Sequence, residues 1–129
     1  LIEKRKTEAG YIRISNVALT AGDLIQFEKR VGGLNRAATV LNELAEVIKP
    51  TDFNSVLLQH VHVTTMQRLG YLLENTCYCT ELADALFEAM KQEKLSLFRI
   101  PLKAAKETKG YSSDNRWKVI VNTEIEIDE

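Results

Sequence analysis

The sequence predicts an α+β fold, with about five helices packed on a small, mostly antiparallel sheet formed largely by the C-terminal strands. Helical periodicity dominates from about residue 20 to residue 90, and strand-like alternation replaces it in residues 116–128. The 129 residues are 45% hydrophobic and 27% charged, which is the balance of a soluble globular protein. We therefore interpret residues 1–129 as a single domain.

The N-terminal part predicts a short strand followed by a helix. Residues 11–15, YIRIS, alternate polar and apolar side chains as a strand does. Thr20 has the chemistry of a helix N-cap, and Asp23 suits the positive end of the helix dipole. The first helix then buries a stripe of apolar side chains and ends at Gly32; these side chains are Ala21, Leu24, Ile25 and Val31.

The second helix carries the clearest helical pattern in the chain. Pro50 ends it, and Thr51 and Asp52 are expected to cap a short third helix that carries Phe53, Val56 and Leu57. The apolar stripe of the second helix repeats every three or four residues and consists of Leu34, Ala37, Ala38, Leu41, Leu44, Ala45 and Ile48.

Two further helices and two strands follow. A fourth helix is predicted from about Thr64 to Glu74, and Thr80 caps a fifth. Residues 95–102 are strand-like, with Pro101 at an edge or bend, and residues 103–115 form a polar loop. In the last strand one face is predicted to carry Trp117, Val119, Val121, Thr123, Ile125 and Ile127, and the other mainly Lys118, Asn122, Glu124 and Glu126, with Ile120 as the exception.

The glycine pair Gly32–Gly33 could open a phosphate-binding turn or join two helices. A phosphate loop follows a strand and, in its Walker form, ends in Gly-Lys-Ser/Thr. Here the pair follows a helix, and the residues GGLNR supply no such lysine or hydroxyl. The pattern favours a helix C-terminus in the left-handed region followed directly by the next helix.

Two histidines and two cysteines are the candidates for a metal site or a thiol enzyme. His60 and His62 with Cys77 and Cys79 offer four nitrogen and sulfur ligands, but a Cys-x-Cys spacing is shorter than structural zinc sites favour. Nothing near either cysteine indicates a lowered thiol pKa. We expect no metal, no cofactor and no catalytic residue.

A basic stretch from Arg99 to Lys118 is the most distinctive surface feature. It contains six cations and two carboxylates, a local charge of +4 in a chain of net charge −1, and Tyr111 and Trp117 lie among them. Such a stretch can bind phosphates while an aromatic ring stacks on a base, although a solvated lysine loop beside a core tryptophan is the commoner case. Together with two arginines flanking the glycine pair, the candidate nucleic-acid or partner-binding residues are Arg30, Arg36, Arg99, Lys103, Lys106, Lys109, Arg116 and Lys118.

Compartment and completeness follow from absences in the sequence. There is no apolar run of about 20 residues, no signal peptide and no disulfide framework, which favours a cytoplasmic protein. The chain begins at Leu1 rather than Met, which suggests a fragment of a longer protein.

Three segments in combination resemble the C-terminal domain of the AbiEi family. They are residues 19–46 (LTAGDLIQFEKRVGGLNRAATVLNELAE), 67–74 (QRLGYLLE) and 116–129 (RWKVIVNTEIEIDE). AbiEi proteins are antitoxins and transcriptional regulators of type IV toxin–antitoxin systems, which defend bacteria against phage. The resemblance implies an N-terminal winged-helix domain upstream that binds operator DNA.

The resemblance also implies a non-enzymatic antitoxin role for this domain. Its antagonist would be a nucleotidyltransferase-like toxin, opposed without a stable complex, and the domain would contribute to operon autoregulation. Three alternatives stay open on the residues themselves. One is a nucleic-acid-binding module acting through the Arg99–Lys118 stretch, and another is a His/Cys metal or thiol enzyme. The third is an oligomerisation module, which the apolar Ile120 on the polar strand face would suit.

Overall fold

Five α-helices and one two-stranded sheet make up the part of the chain described by the computed structural model, residues 17–127. The helices are α1 (Val17–Gln26), α2 (Leu34–Leu44), α3 (Ser55–His60), α4 (Val63–Asn75) and α5 (Thr80–Gln92). Short 3₁₀ turns at Glu28–Val31 and Pro50–Asp52 precede α2 and α3. The strand predicted at 11–15 lies outside the described residues.

Helix α4 lies at the centre of the core. It packs against α1 and α5, and it also contacts α2 and β2 (Val119–Ile120). Seven of its thirteen residues are buried, which is a wider buried surface than a single helix stripe provides. These seven residues are Thr65, Met66, Gln67, Leu69, Gly70, Leu72 and Leu73.

Several helix ends differ from the sequence prediction. Thr20 is not the cap of α1, because the helix is already formed at Val17. Helix α2 ends at Leu44, although the apolar stripe continues and both Ala45 and Ile48 are buried. The cap of α3 is Asn54, whose side-chain Oδ1 accepts a hydrogen bond from the Leu57 N–H at 3.0 Å.

The sheet is smaller than predicted, and its pairing is parallel rather than antiparallel. Strand β1 (Ile100–Pro101) pairs with β2 in the register Ile100–Val119 and Pro101–Ile120. A parallel pair needs a long crossover, and the polar loop between the strands supplies one. Antiparallel pairing is limited, within residues 17–127, to the isolated bridge between Ser113 and Ile120. The fold class is therefore mostly helical α+β.

The predicted polar face of the last strand is wrong at one position. Asn122 is fully buried, whereas Glu124 and Glu126 are exposed as expected. Only Val119 and Ile120 of this segment form a strand, and Lys118 just before them has a φ of +56°, so regular alternation does not run through residues 116–127. Burial of Trp117 and Val119 agrees with the prediction.

Candidate functional site

The glycine pair forms a joint before α2, as the sequence predicts, but it follows the 3₁₀ turn Glu28–Val31, because α1 ends at Gln26 and not at Gly32. Gly32 has a φ of +107° in the left-handed region, and Gly33 has a φ of +104° immediately before α2. The Gly33 N–H donates to the carbonyl of Glu28 at 2.8 Å, which closes the preceding 3₁₀ turn. Arg30 and Arg36 lie on either side of this joint, and both are exposed.

We use the name basic loop for residues 99–111, which comprise Arg99, strand β1 and the turn that follows it. This segment presents four cations to solvent. Arg99, Lys103, Lys106 and Lys109 are all exposed, and Glu107 is the loop's only acidic residue. The Lys106 Nζ lies 5.2 Å from the centre of the Tyr111 ring, so a cation and an aromatic ring are adjacent on this surface. Residues 103–111 of this segment are mainly polar and exposed to solvent, as the sequence predicts.

The buried side chain of Asn122 fixes the backbone of the basic loop through hydrogen bonds. Its Nδ2 donates to the carbonyls of Lys103 and Lys106 at 3.0 Å each, and more weakly to that of Glu107 at 3.4 Å. Its Oδ1 accepts from the Lys103 N–H at 2.9 Å. One buried amide therefore satisfies backbone groups across the turn that carries two of the four cations.

Arg116 belongs to the core packing rather than to the basic surface. Its guanidinium pairs with Asp84 at 2.8 Å and Glu74 at 3.3 Å, and it covers the Phe87 ring at 4.5 Å. Its charge is thus compensated by two carboxylates from α4 and α5. The sequence places Arg116 among cations that contact a partner, but this geometry leaves it little charge to offer.

Trp117 and Lys118 also differ from the other members of the basic stretch. The Trp117 indole is fully buried, packs edge-on against Phe87 and donates from Nε1 to Glu74 at 2.8 Å, so it has no exposed face for a base. Lys118 is partly buried, and its carbonyl accepts from the Ile100 N–H at 2.9 Å. The cations that remain accessible are those of the basic loop and the glycine joint.

A cavity of about 350 Å³ connects the glycine joint with the start of the basic loop. Arg30 lines it beside Lys29, and Leu102 and Ala104 line it from the loop side. The Arg30 guanidinium lies 4.9 Å from the centre of the Phe27 ring. Arg36 lines a separate surface depression with Gly32 and Asn35.

Arg68 also lines this cavity, and no pattern in the sequence marks it as a binding residue. It is half-buried on α4, and its Nε donates to the Pro101 carbonyl at 2.9 Å. Burial lowers the pKa of the guanidinium from its ordinary value, and the nearby Glu28 carboxylate opposes that shift. Arg68 lies between Gln67 and Leu69, which are both buried in the core. A charged side chain between two buried residues is the feature that could have drawn attention to it.

The cysteines and histidines do not assemble into a metal-binding group. Between residues 17 and 127, no three His, Cys, Asp or Glu side chains are grouped to hold a metal ion. Burial raises the pKa of Cys77 to about 12, with a contribution from Cys79, and burial also raises the pKa of Cys79. Both are protonated thiols at neutral pH, which is the opposite of an activated nucleophile.

The comparisons with known proteins add one finding. Residues 2–75 match the family model of the AbiEi antitoxin C-terminal domain. No curated protein and no solved structure matches the chain. No helix within residues 17–127 has the length and apolarity to cross a membrane. Because the match covers more than half of the 129 residues, the chain belongs to the AbiEi antitoxin C-terminal domain family.

Proposed function

We propose that this chain is a non-enzymatic antitoxin domain that counteracts a nucleotidyltransferase-like toxin in the cytoplasm and contributes to autoregulation of its operon. The family match carries the antitoxin role. The toxin class, the regulatory role and antagonism without a stable complex rest on the resemblance. We further propose that residues 1–129 are a single domain and that a winged-helix domain upstream is the main reader of operator DNA.

We propose the basic loop as the working surface of this domain. Its four exposed cations make no ion pair with any carboxylate in residues 17–127, in contrast to Arg116. Asn122 fixes the backbone from which two of them project, so the charges are held in a defined arrangement before a partner arrives. This arrangement of positive charges is complementary to an acidic protein surface or a phosphate backbone.

A growth-rescue assay tests the antitoxin role. The chain is expressed in cells poisoned by the nucleotidyltransferase encoded beside its parent gene, and we expect growth to recover. Failure of soluble, folded protein to restore growth would show that the domain does not act alone against this toxin.

The same assay tests the basic loop. Reversing Lys103, Lys106 and Lys109 to Glu is expected to abolish rescue. The matched control reverses Lys49, Lys91 and Lys94, which are exposed lysines outside the loop, and changes the net charge by the same amount. Equal rescue by both variants would remove the loop from the proposal.

Direct nucleic-acid binding is the second candidate function, and the Lys106–Tyr111 pair favours it. A cation beside an exposed ring can bind a phosphate while the ring stacks on a base. Fluorescence anisotropy with labelled DNA should then show binding that weakens with salt, and each lost phosphate contact should lower the salt slope by about 1. Identical salt slopes for wild type and the loop variant would contradict it.

A further inference from the structure

The cavity beside the glycine joint has an excess of positive charge. Lys29, Arg30 and Arg68 line it against a single carboxylate, Glu28. The three cations come from two separate elements, the 3₁₀ turn and α4, and the fold brings them to one cavity. A cavity lined in this way has the sign of charge that attracts an anion.

Arg68 has hydrogen-bonding capacity to spare. Its Nε bonds the Pro101 carbonyl, while its two terminal nitrogens make no hydrogen bond or ion pair with any group in residues 17–127. Guanidinium groups bind phosphate through paired N–H donors, and a half-buried guanidinium benefits more from that partner than an exposed one. The bond to Pro101 holds the group in place for such a ligand.

Apart from Gln26, the rest of the cavity wall is apolar and includes an aromatic ring. Ile25, Leu34 and Leu102 contribute buried side chains, and Phe27 is 40% exposed. Small-molecule sites combine a mainly apolar wall with a few convergent polar groups, in cavities of about 300–1,000 Å³. The volume of about 350 Å³ lies at the lower end of that range.

We propose that this cavity binds a nucleoside phosphate, with the phosphate on Arg68 and Arg30 and the base against Phe27 and its apolar neighbours. The phosphate accounts for Arg68 and Arg30, with Lys29 adding positive charge beside them, and the base accounts for the ring and the aliphatic wall. The cations of this site are not those of the basic loop, although Leu102 and Ala104 of that loop line the cavity, and the proposal does not depend on the antitoxin role.

Titration calorimetry on the full chain at low salt tests the site with three probes: AMP, adenosine and inorganic phosphate. We expect saturable binding of AMP that weakens with added salt, and at least about tenfold weaker binding of each of the other two. R68M should weaken AMP binding at least about tenfold, because it removes the charged fork. R30M should weaken it as well, and since Arg30 is exposed this variant does not depend on the core staying intact.

R36M is the matched control, because Arg36 flanks the same joint but lines a different depression. Its AMP affinity should equal that of the wild type. The proposal is overturned if the wild type shows no saturable binding of AMP, or if R68M and R30M bind it as the wild type does. Equal affinity for inorganic phosphate and AMP would overturn the assignment of a nucleoside phosphate.

Discussion

At the scale of single residues, the Trp117 ring packs so closely on Gly70 that no side chain fits at position 70. A Cβ added to Gly70 would lie 2.2 Å from the Cη2 and Cζ3 atoms of the Trp117 ring, which is fully buried. The indole cannot move away without also breaking its hydrogen bond to Glu74. The absence of a side chain on α4 thus creates the space in which the only tryptophan of the chain packs.

Gly70→Ala should therefore lower the free energy of unfolding by about 2–3 kcal/mol or more, through overpacking. Gly22→Ala is the matched control, because a Cβ there would meet only Val61 methyl groups at 3.6 Å, an ordinary contact. Since alanine favours helix, Gly22→Ala should raise stability by about 0.5–1 kcal/mol. Urea unfolding of the two variants checks both signs, and equal effects would show that the Trp117 contact is unimportant.

Cys77 provides a residue-scale test that depends on pH. With a pKa of about 12 in the folded protein, its thiolate fraction should rise about tenfold per pH unit from pH 8 to pH 11. Alkylation by iodoacetamide in a Cys79→Ala background should follow that slope. In the urea-unfolded chain the rate should level off above the ordinary thiol pKa. A plateau near pH 9 in the folded protein would show that burial does not protect the thiol.

The same shift predicts how stability changes with pH. Above the ordinary thiol pKa the unfolded chain loses the Cys77 proton while the folded chain keeps it. The Cys77 contribution to stability is therefore complete below that pKa and is lost as pH rises towards about 12.

At the scale of elements, the helices with strong apolar stripes are predictable and the sheet is not. Helix α4 begins and ends close to where the sequence places it, because its stripe and flanking breaks agree. Helix α5 begins at Thr80, although the N-cap is Cys79 and not Thr80 as predicted. Alternation in the last segment indicates which side chains face inward, but it carries no information on the direction of the partner strand. Parallel pairing depends on the path of the loop between the strands, which periodicity does not encode.

Some residues of the candidate site can likewise be predicted from the sequence, and others cannot. Exposed cations in a polar loop, such as Lys106, follow directly from sequence. The neutralisation of Arg116 does not, because its partner Glu74 lies 42 residues away along the chain. The sequence indicates no role for Arg68 or Asn122 for a related reason: the groups they contact come from separate segments that only the fold brings together.

The basic loop gives the element-scale prediction. Asn122→Ala leaves the backbone groups of Lys103 and Lys106 without their buried partner, so the free energy of unfolding should fall by about 2–3 kcal/mol. The loop itself should open, and trypsin should cleave after its lysines faster than in the wild type. Asn115→Ala, a change at an exposed asparagine of the same C-terminal region, is the control. Unchanged cleavage in Asn122→Ala would mean that other contacts hold the loop.

At the scale of the whole molecule, the matched and unmatched parts of the chain share one core. The family match ends at Asn75, which is the last residue of α4. It therefore excludes α5, both strands and Trp117. Yet α4 packs directly on α5 and β2, and the buried residues of all three belong to one apolar cluster. Division at the end of the match would expose the inner face of α4, so neither part is expected to be stable alone.

This shared core predicts a single cooperative unfolding transition. Trp117 itself lies beyond the family match, and its fluorescence reports on its packing, whereas far-ultraviolet circular dichroism reports mainly on the helices, four of which lie within the match. Because Trp117 packs on Gly70 and bonds Glu74, the two signals should change at the same urea concentration. Arg116→Met, which cuts the ion pairs to α4 and α5, should lower both midpoints together. If fluorescence changed at lower urea than circular dichroism, the C-terminal region would unfold as a separate unit on a stable helical base.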